Sequence, residues 1–228
     1  MIKAVIFDKD GTLLEFSDLW IRACFKIFEK LDLNLKQVDL VKKDIGIDNN
    51  GRVVENSVLA AGTISDLANI LRKYSHRNDL EEFIQDRFIQ TIDDDTSQVR
   101  TTCDLIKVFD FLKNQSIKII VSTSDNLKVA EKMFDILGLA GYIDFIISAD
   151  HFVAKPDPSS LDFIMDKYAL SSNELIMVGD SRVDMEYGNH LRASIGVLCG
   201  TGTYQMLEKY ANKVIESPLE LIDLIKIL

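Results

Sequence analysis

From Thr102 onward, short apolar runs alternate with segments of helical periodicity, and few chain architectures accept that pattern. Ile117–Val121, Phe145–Ile147, Leu175–Val178 and Ile195–Leu198 read as strands, and Cys103–Asn114, Asn126–Leu137, Ser159–Tyr168 and Val183–Leu191 as helices. The strands carry consecutive apolar residues and no polar alternation, so both of their faces must be covered, and each is followed by a helix. That combination predicts a parallel sheet with helices on either side. Ala4-Val5-Ile6-Phe7 is one more such run, ending in the turn signal Asp8-Lys9-Asp10-Gly11-Thr12. The remainder offers Tyr204–Tyr210, Lys213–Ile215 and a closing helix Leu219–Ile227.

Between the first run and the second, the pattern changes. Leu19–Leu31, Leu35–Ile45, Ile64–Tyr74 and Asp79–Ile92 have apolar residues at helical spacing. Asp48-Asn49-Asn50-Gly51-Arg52 is a turn, and Asp93–Ser97 is a polar linker or helix start. The fold class expected is therefore α/β, a doubly wound parallel sheet with a helical cap inserted after its first strand. The core is assigned residues 1–13 and 100–228, the cap residues 14–99. Two linkers crossing between these parts make a hinge at Leu13–Leu14 and Asp93–Ser97 plausible.

Composition narrows the function. With 36 acidic against 26 basic residues the formal charge is −10, which disfavours nucleic acid or an anionic membrane as a partner. No apolar run approaches the roughly 20 residues needed to span a bilayer. The N-terminus reads as neither signal nor transit peptide. Cys24, Cys103 and Cys199 are odd in number and form no CxxC pair, the usage of reduced thiols in a cytoplasmic protein. His76, His151 and His190 have no metal-ligand spacing.

Ligands of an open parallel sheet bind beyond the carboxyl ends of its strands. Four polar groups stand there: Asp8 with Asp10, Ser122 with Thr123, Lys155, and Asp180 with Asp184. Carboxylates gathered in one pocket repel unless a cation joins them, and hard oxygen ligands suit Mg²⁺. The lysine and hydroxyl are what the non-bridging oxygens of a phosphoryl group require. The set points to phosphoryl-transfer chemistry on a small phosphorylated metabolite.

Asp8-Lys9-Asp10-Gly11-Thr12-Leu13-Leu14, Ser122-Thr123, Lys155-Pro156 and Gly179-Asp180-Ser181-Arg182-Val183-Asp184 resemble, in order and context, the four motifs of the haloacid dehalogenase superfamily. The resemblance is strongest to its phosphatases with a helical cap, the phosphoglycolate phosphatase-like and β-phosphoglucomutase-like group, and implies a Rossmann-like core. It implies that Asp8 is the nucleophile forming an aspartyl-phosphate, and that Asp10 protonates the leaving alcohol and then activates water. Ser122 would donate to a phosphate oxygen, and Lys155 would neutralise charge at Asp8. Thr123 would contribute its backbone N–H, or the hydroxyl in place of Ser122 should the strand end one residue later. Asp8, the backbone carbonyl of Asp10, and Asp180 would bind Mg²⁺, with Asp184 in or near the layer behind.

Two positions depart from that group's pattern. Asp125 adds a carboxylate just after the second motif, where it would weaken anion binding or face solvent. Met185–Ala193 lacks the usual small-residue stretch ending in Ala-Gly. Within the cap, Arg52 on the Gly46–Arg52 turn is a candidate contact for a substrate carboxylate or second phosphate, against the simpler reading of an exposed turn arginine. The expected function is Mg²⁺-dependent hydrolysis of a small phosphomonoester, phosphoglycolate first. A sugar-phosphate mutase and a non-catalytic phosphate-binding module are the alternatives. Monomer and homodimer stay equally open.

Overall fold

The computed structural model describes residues 1–15, 19–54 and 57–227. The first strand, β1 (Ala4–Phe7), is followed by five helices: α1 (Leu19–Lys30), α2 (Leu35–Ile45), α3 (Val58–Ala61), α4 (Ile64–Leu71) and α5 (Leu80–Asp94). The alternating part then runs α6 (Leu105–Asn114), β2 (Lys118–Thr123), α7 (Leu127–Ile136), β3 (Phe145–Ser148) and α8 (Ser159–Tyr168). It continues through β4 (Leu175–Gly179), α9 (Arg182–Gly188), β5 (Ala193–Val197), α10 (Tyr204–Leu207), β6 (Lys213–Ile215) and α11 (Leu221–Leu224). Among the described residues, no helix is long and apolar enough to cross a membrane.

The six strands form one parallel sheet in the order β3-β2-β1-β4-β5-β6. The α/β, doubly wound, Rossmann-like expectation thus stands: order reverses at β1, and a crevice opens beyond the carboxyl ends of its neighbours. Both faces are covered, which is why the strands read as unbroken apolar runs. Val5, Phe7, Ile119, Val121, Ile176 and Val178 point into one core layer, and Ala4, Ile6, Ile120, Leu175 and Met177 into the other. Successive side chains take opposite faces, so the two residues after any strand also part company.

The helices between β1 and α6 bury the faces their spacing anticipates. In α1 these are Leu19, Trp20, Ala23, Cys24, Ile27 and Phe28, and in α5 Leu80, Ile84, Phe88, Thr91 and Ile92. Asn34 and Thr63 cap α2 and α4, each with a capping box. The helix α3 has no counterpart in the sequence expectation. Its four residues are too short to show a period, although Ser57 accepts from the Ala60 N–H as an N-cap should. Beyond α5 comes a single 3₁₀ turn, Thr96–Gln98, in place of a linker.

The two chain crossings beside the sheet lie next to each other. Leu14 and Thr101 form an antiparallel bridge, the Glu15 N–H donates to the Arg100 carbonyl at 2.9 Å, and the Thr102 N–H to that of Leu13 at 3.0 Å. The helical block also touches the rim of the sheet. The Ser124 hydroxyl donates to the Ala61 carbonyl at 2.9 Å, and the Asn126 amide to Gln85 at 2.9 Å.

Phe109 of α6 is fully buried, 5.9 Å from the Phe7 ring and 5.8 Å from that of Tyr142. Phe109→Ala opens a cavity against the central strand, so its unfolding free energy in a denaturant titration should fall by about 3–5 kcal/mol.

Candidate active site

β1 ends at Phe7, and the chain must turn within a few residues beside β4. Gly11 makes this possible: its φ is 84°, and a Cβ there would lie 2.7 Å from the Asp180 carboxylate. Gly179 lets the first turn of α9 press against the end of β4, where a side chain would collide with Asp184. These two close approaches bring the aspartates of distant motifs together.

Asp8, Asp180 and Asp184 each present an oxygen within 4.8 Å of the others. Lys155 stands among them. Its ammonium donates to Asp8 Oδ1 at 2.7 Å, to Asp184 Oδ1 at 2.7 Å and to the Ser122 carbonyl at 2.9 Å. Burial lowers the proton affinity of Lys155, but Asp184 and Asp8 outweigh it and hold the amine above its ordinary value, charged. Burial raises Asp8 well above the usual carboxylate range, and the charges of Asp184 and Asp180 add to this. Asp180 is pushed up to about 6, by burial first and then by Asp184. Its Oδ2 accepts the Thr201 N–H at 2.6 Å and the Thr201 hydroxyl at 3.1 Å.

Three carboxylates against one ammonium leave negative charge in a buried place, and Asp180 has no cationic ion-pair partner among the described residues. Oxygen donors, close spacing and excess negative charge are what a hard divalent cation needs. The donor set fits such an ion, with Asp8, Asp180 and Asp184 as the groups able to hold it.

Asp184 also serves its own helix. Ser181 is the N-cap of α9, and its hydroxyl donates to Asp184 Oδ2 at 2.5 Å while its backbone N–H donates at 3.1 Å. Asp184 thus turns one oxygen to its own helix cap and the other to Lys155.

β2 runs two residues past Val121, through Thr123, and the alternation along it separates the two hydroxyls. Ser122 faces the layer of Ile120 and Tyr187 and is 1% exposed. Thr123 takes the opposite side and lines a cleft with Asp8, Asp10, Lys155 and Asp180. The hydroxyl that reaches the cleft is thus that of Thr123, while Ser122 supplies a carbonyl to Lys155. Arg52 is exposed on its turn, where its N–H donates to Asp48 at 2.8 Å, and it lines neither this cleft nor the adjoining one. The turn itself is held by an antiparallel bridge between Ile47 and Val53.

The motif reading passes over Lys9, which the structure makes prominent. It is fully buried, with its ammonium 2.6 Å from Asp10 Oδ2, 2.9 Å from Asp125 Oδ2 and 5.2 Å from the centre of the Trp20 ring. Asp125 turns inward to Lys9, which accounts for the extra carboxylate after the second motif. Burial and the charge of Asp10 push Asp125 up to about 6 despite that partner. Asp10 Oδ1 is buried and accepts no hydrogen bond. The signal available in the sequence was a lysine inside a buried stretch and an aspartate out of pattern, two anomalies that cancel each other.

Lys9→Met leaves two buried carboxylates without a cation, and should cost about 3–5 kcal/mol in a denaturation experiment. Adding Asp125→Asn should return at least about 1 kcal/mol, a coupling that two independent residues would not show. Ser181→Ala removes the cap of α9, costing about 1 kcal/mol, and unfastens Asp184. The affinity of the three-carboxylate cluster for a divalent cation, read by calorimetric titration, should fall by about tenfold.

Known proteins resemble the chain over its whole length. A Haemophilus somnus protein described as a phosphoglycolate phosphatase superposes with a TM-score of 0.73 at 16% identity, covering 98% of each chain. A Thermotoga maritima protein described as a β-phosphoglucomutase gives 0.69 at 19% identity over 100% of both. At such identities these two speak to the fold alone. In sequence, a Clostridium perfringens protein carrying the pyrophosphatase name PpaX is 28% identical over 99% of this chain and 98% of its own. A phosphoglycolate phosphatase of Aquifex aeolicus is 24% identical over 82% and 80%. The family model of haloacid dehalogenase-like hydrolases matches residues 2–191, spanning β1, the helical block, and the strand ends that carry all four polar clusters. The chain belongs to the haloacid dehalogenase-like hydrolases.

Proposed function

We propose that this phosphatase hydrolyses a small phosphomonoester with Mg²⁺, through an aspartyl-phosphate on Asp8. The observation that carries the reading is the placing of two carboxylates two residues apart. Asp8 stands in the three-carboxylate cluster beside Lys155, and Asp10 lines both that cleft and the neighbouring one under the helical block. A phosphoryl group at Asp8 would leave its bridging oxygen toward Asp10.

In the first half-reaction an Asp8 carboxylate oxygen bonds to phosphorus as the bridging P–O bond breaks. The departing oxygen takes a proton from the Asp10 carboxyl and leaves as the alcohol. In the second, water attacks phosphorus and gives its proton to Asp10. The P–O bond to Asp8 breaks, inorganic phosphate departs and both aspartates are restored. Lys155 holds Asp8 in place and offsets charge on the phosphoryl oxygens, and the Thr123 hydroxyl and nearby backbone N–H groups donate to them. When bound at Asp8, Asp180 and Asp184, with the Asp10 carbonyl, Mg²⁺ would neutralise the phosphoryl oxygens and allow the carboxylate to approach them. The helical block acts as the cap, excluding water until the phosphoenzyme has formed.

Phosphate release from a panel of phosphomonoesters and pyrophosphate, measured with Mg²⁺, tests the reading. Activity should fall to background with EDTA and with Asp8→Asn. Asp10→Asn should lose about 10²–10⁴-fold in kcat. Thr123→Val should lose about 10²-fold, and Ser122→Ala far less. Turnover indifferent to Asp8 would refute the nucleophile, and turnover that requires a sugar bisphosphate would replace hydrolysis by mutase chemistry.

A further inference from the structure

The site consists of two clefts that share Asp10, Ala60 and Ser124. The first holds the carboxylate cluster and Lys155. The second is walled on its apolar side by Trp20, Val58, Leu59, Ile64, Leu67 and Phe88. Trp20, Ile64, Leu67 and Phe88 are all at most 6% exposed, and the Trp20 and Phe88 rings are 4.9 Å apart. With Asp10 at the boundary and the phosphoryl site on the other side, this recess is where the leaving group of the ester must lie.

Its electrostatics are lopsided. The ionisable side chains along it are Asp10 and Asp125, both carboxylates. Lys9, the nearby cation, is fully buried and occupied by those same two groups. No lysine, arginine or histidine lines the recess among the described residues. The segments outside them, Phe16-Ser17-Asp18 and Glu55-Asn56, contain no basic residue in their sequence. A carboxylate or second phosphate on the leaving group would have to be desolvated beside Asp10 and Asp125, whose shared counter-ion Lys9 is already committed to them, with no further cation along the recess among the described residues. An uncharged hydrocarbon would exchange water for Trp20, Phe88 and Leu67, a favourable transfer.

We infer that the phosphatase selects phosphomonoesters whose leaving alcohol is uncharged and apolar, and discriminates against anionic leaving groups such as glycolate or phosphate. The inference rests on the phosphatase reading and names the substrate class of that site. It separates this chain from the substrates in the names of its relatives, phosphoglycolate and pyrophosphate. Trp20 and Leu59 are the specificity-determining residues, through the shape and charge of the recess.

The test compares kcat/KM for butyl phosphate, 2-phosphoglycolate, pyrophosphate and phosphoethanolamine with Mg²⁺, using Asp8→Asn as the background. Butyl phosphate should exceed each of the charged compounds by about tenfold or more. Leu59→Lys places a cation at a half-buried position of the recess wall and should move the ratio of phosphoglycolate to butyl phosphate upward by at least about tenfold. Trp20→Phe should lower kcat/KM for butyl phosphate while leaving that for phosphoglycolate nearly level. Preference for phosphoglycolate or pyrophosphate, abolished in Asp8→Asn, would overturn the inference and leave the phosphatase reading standing. Preference for phosphoethanolamine would overturn it equally, in favour of a cationic leaving group. Absence of Asp8-dependent turnover with every ester would overturn the reading and the inference with it.

Discussion

The contact on which the rest depends is the ammonium of Lys155, 2.7 Å from Asp8 and 2.7 Å from Asp184. Without a cation at that point, three carboxylates within 4.8 Å of one another would repel strongly in a place where water cannot screen them. The fold brings them so close because a parallel sheet aligns the ends of β1, β2 and β4, and because Gly11 and Gly179 remove the side chains that would hold them apart. Lys155 offsets part of the charge. Burial first, and then the charge it leaves, raise the proton affinities of Asp8 and Asp180, and a divalent cation would offset that charge.

A second lysine repeats the arrangement on the other side of the same loop. Lys9 joins Asp10 and Asp125 much as Lys155 joins Asp8 and Asp184. Both pairings are made in the turn beyond β1, where the strand's alternation has ended. Each aspartate of the Asp8-Lys9-Asp10 segment has its own lysine and its own carboxylate neighbour. Lys9 can stay charged in a fully buried position because both partners and the Trp20 ring surround it; burial pulls its proton affinity down, and Asp10 and Asp125 raise it above the ordinary value.

The sheet was legible because its signal is local and repeated. Ser159–Tyr168 forms the expected helix residue for residue, as does Leu35–Ile45 in the helical block. The end of β2 was harder to read, since two hydroxyl residues extend a strand as readily as they stop it. That uncertainty of two residues decides which of Ser122 and Thr123 reaches the cleft, because a shift of one place turns a side chain to the other face. The helix α3 lay below the length at which periodicity can be seen, and it supplies two walls of the apolar recess. The partnership of Lys9 with Asp125 joins residues 116 positions apart along the chain, and no spacing rule reaches that far.

The two clefts divide the free energy of binding unequally. On the phosphoryl side of the proposed reaction, Lys155, backbone amides and a bound cation would act on charge that every phosphomonoester shares, and so would attract substrates without distinguishing among them. Discrimination must come from the part of the molecule that varies, and that part meets Trp20, Leu67 and Phe88, which recognise shape and hydrophobicity. In the proposed reaction such walls would also keep water from Asp10 until the leaving oxygen is in place. A cation added there for an anionic substrate would bind the Asp10 carboxylate as readily as the substrate. Lys9 already holds one oxygen of Asp10 and leaves the other without a hydrogen bond. On the proposed reading, the absence of a further cation among the described residues of the recess would serve the acid as well as the selection of the alcohol.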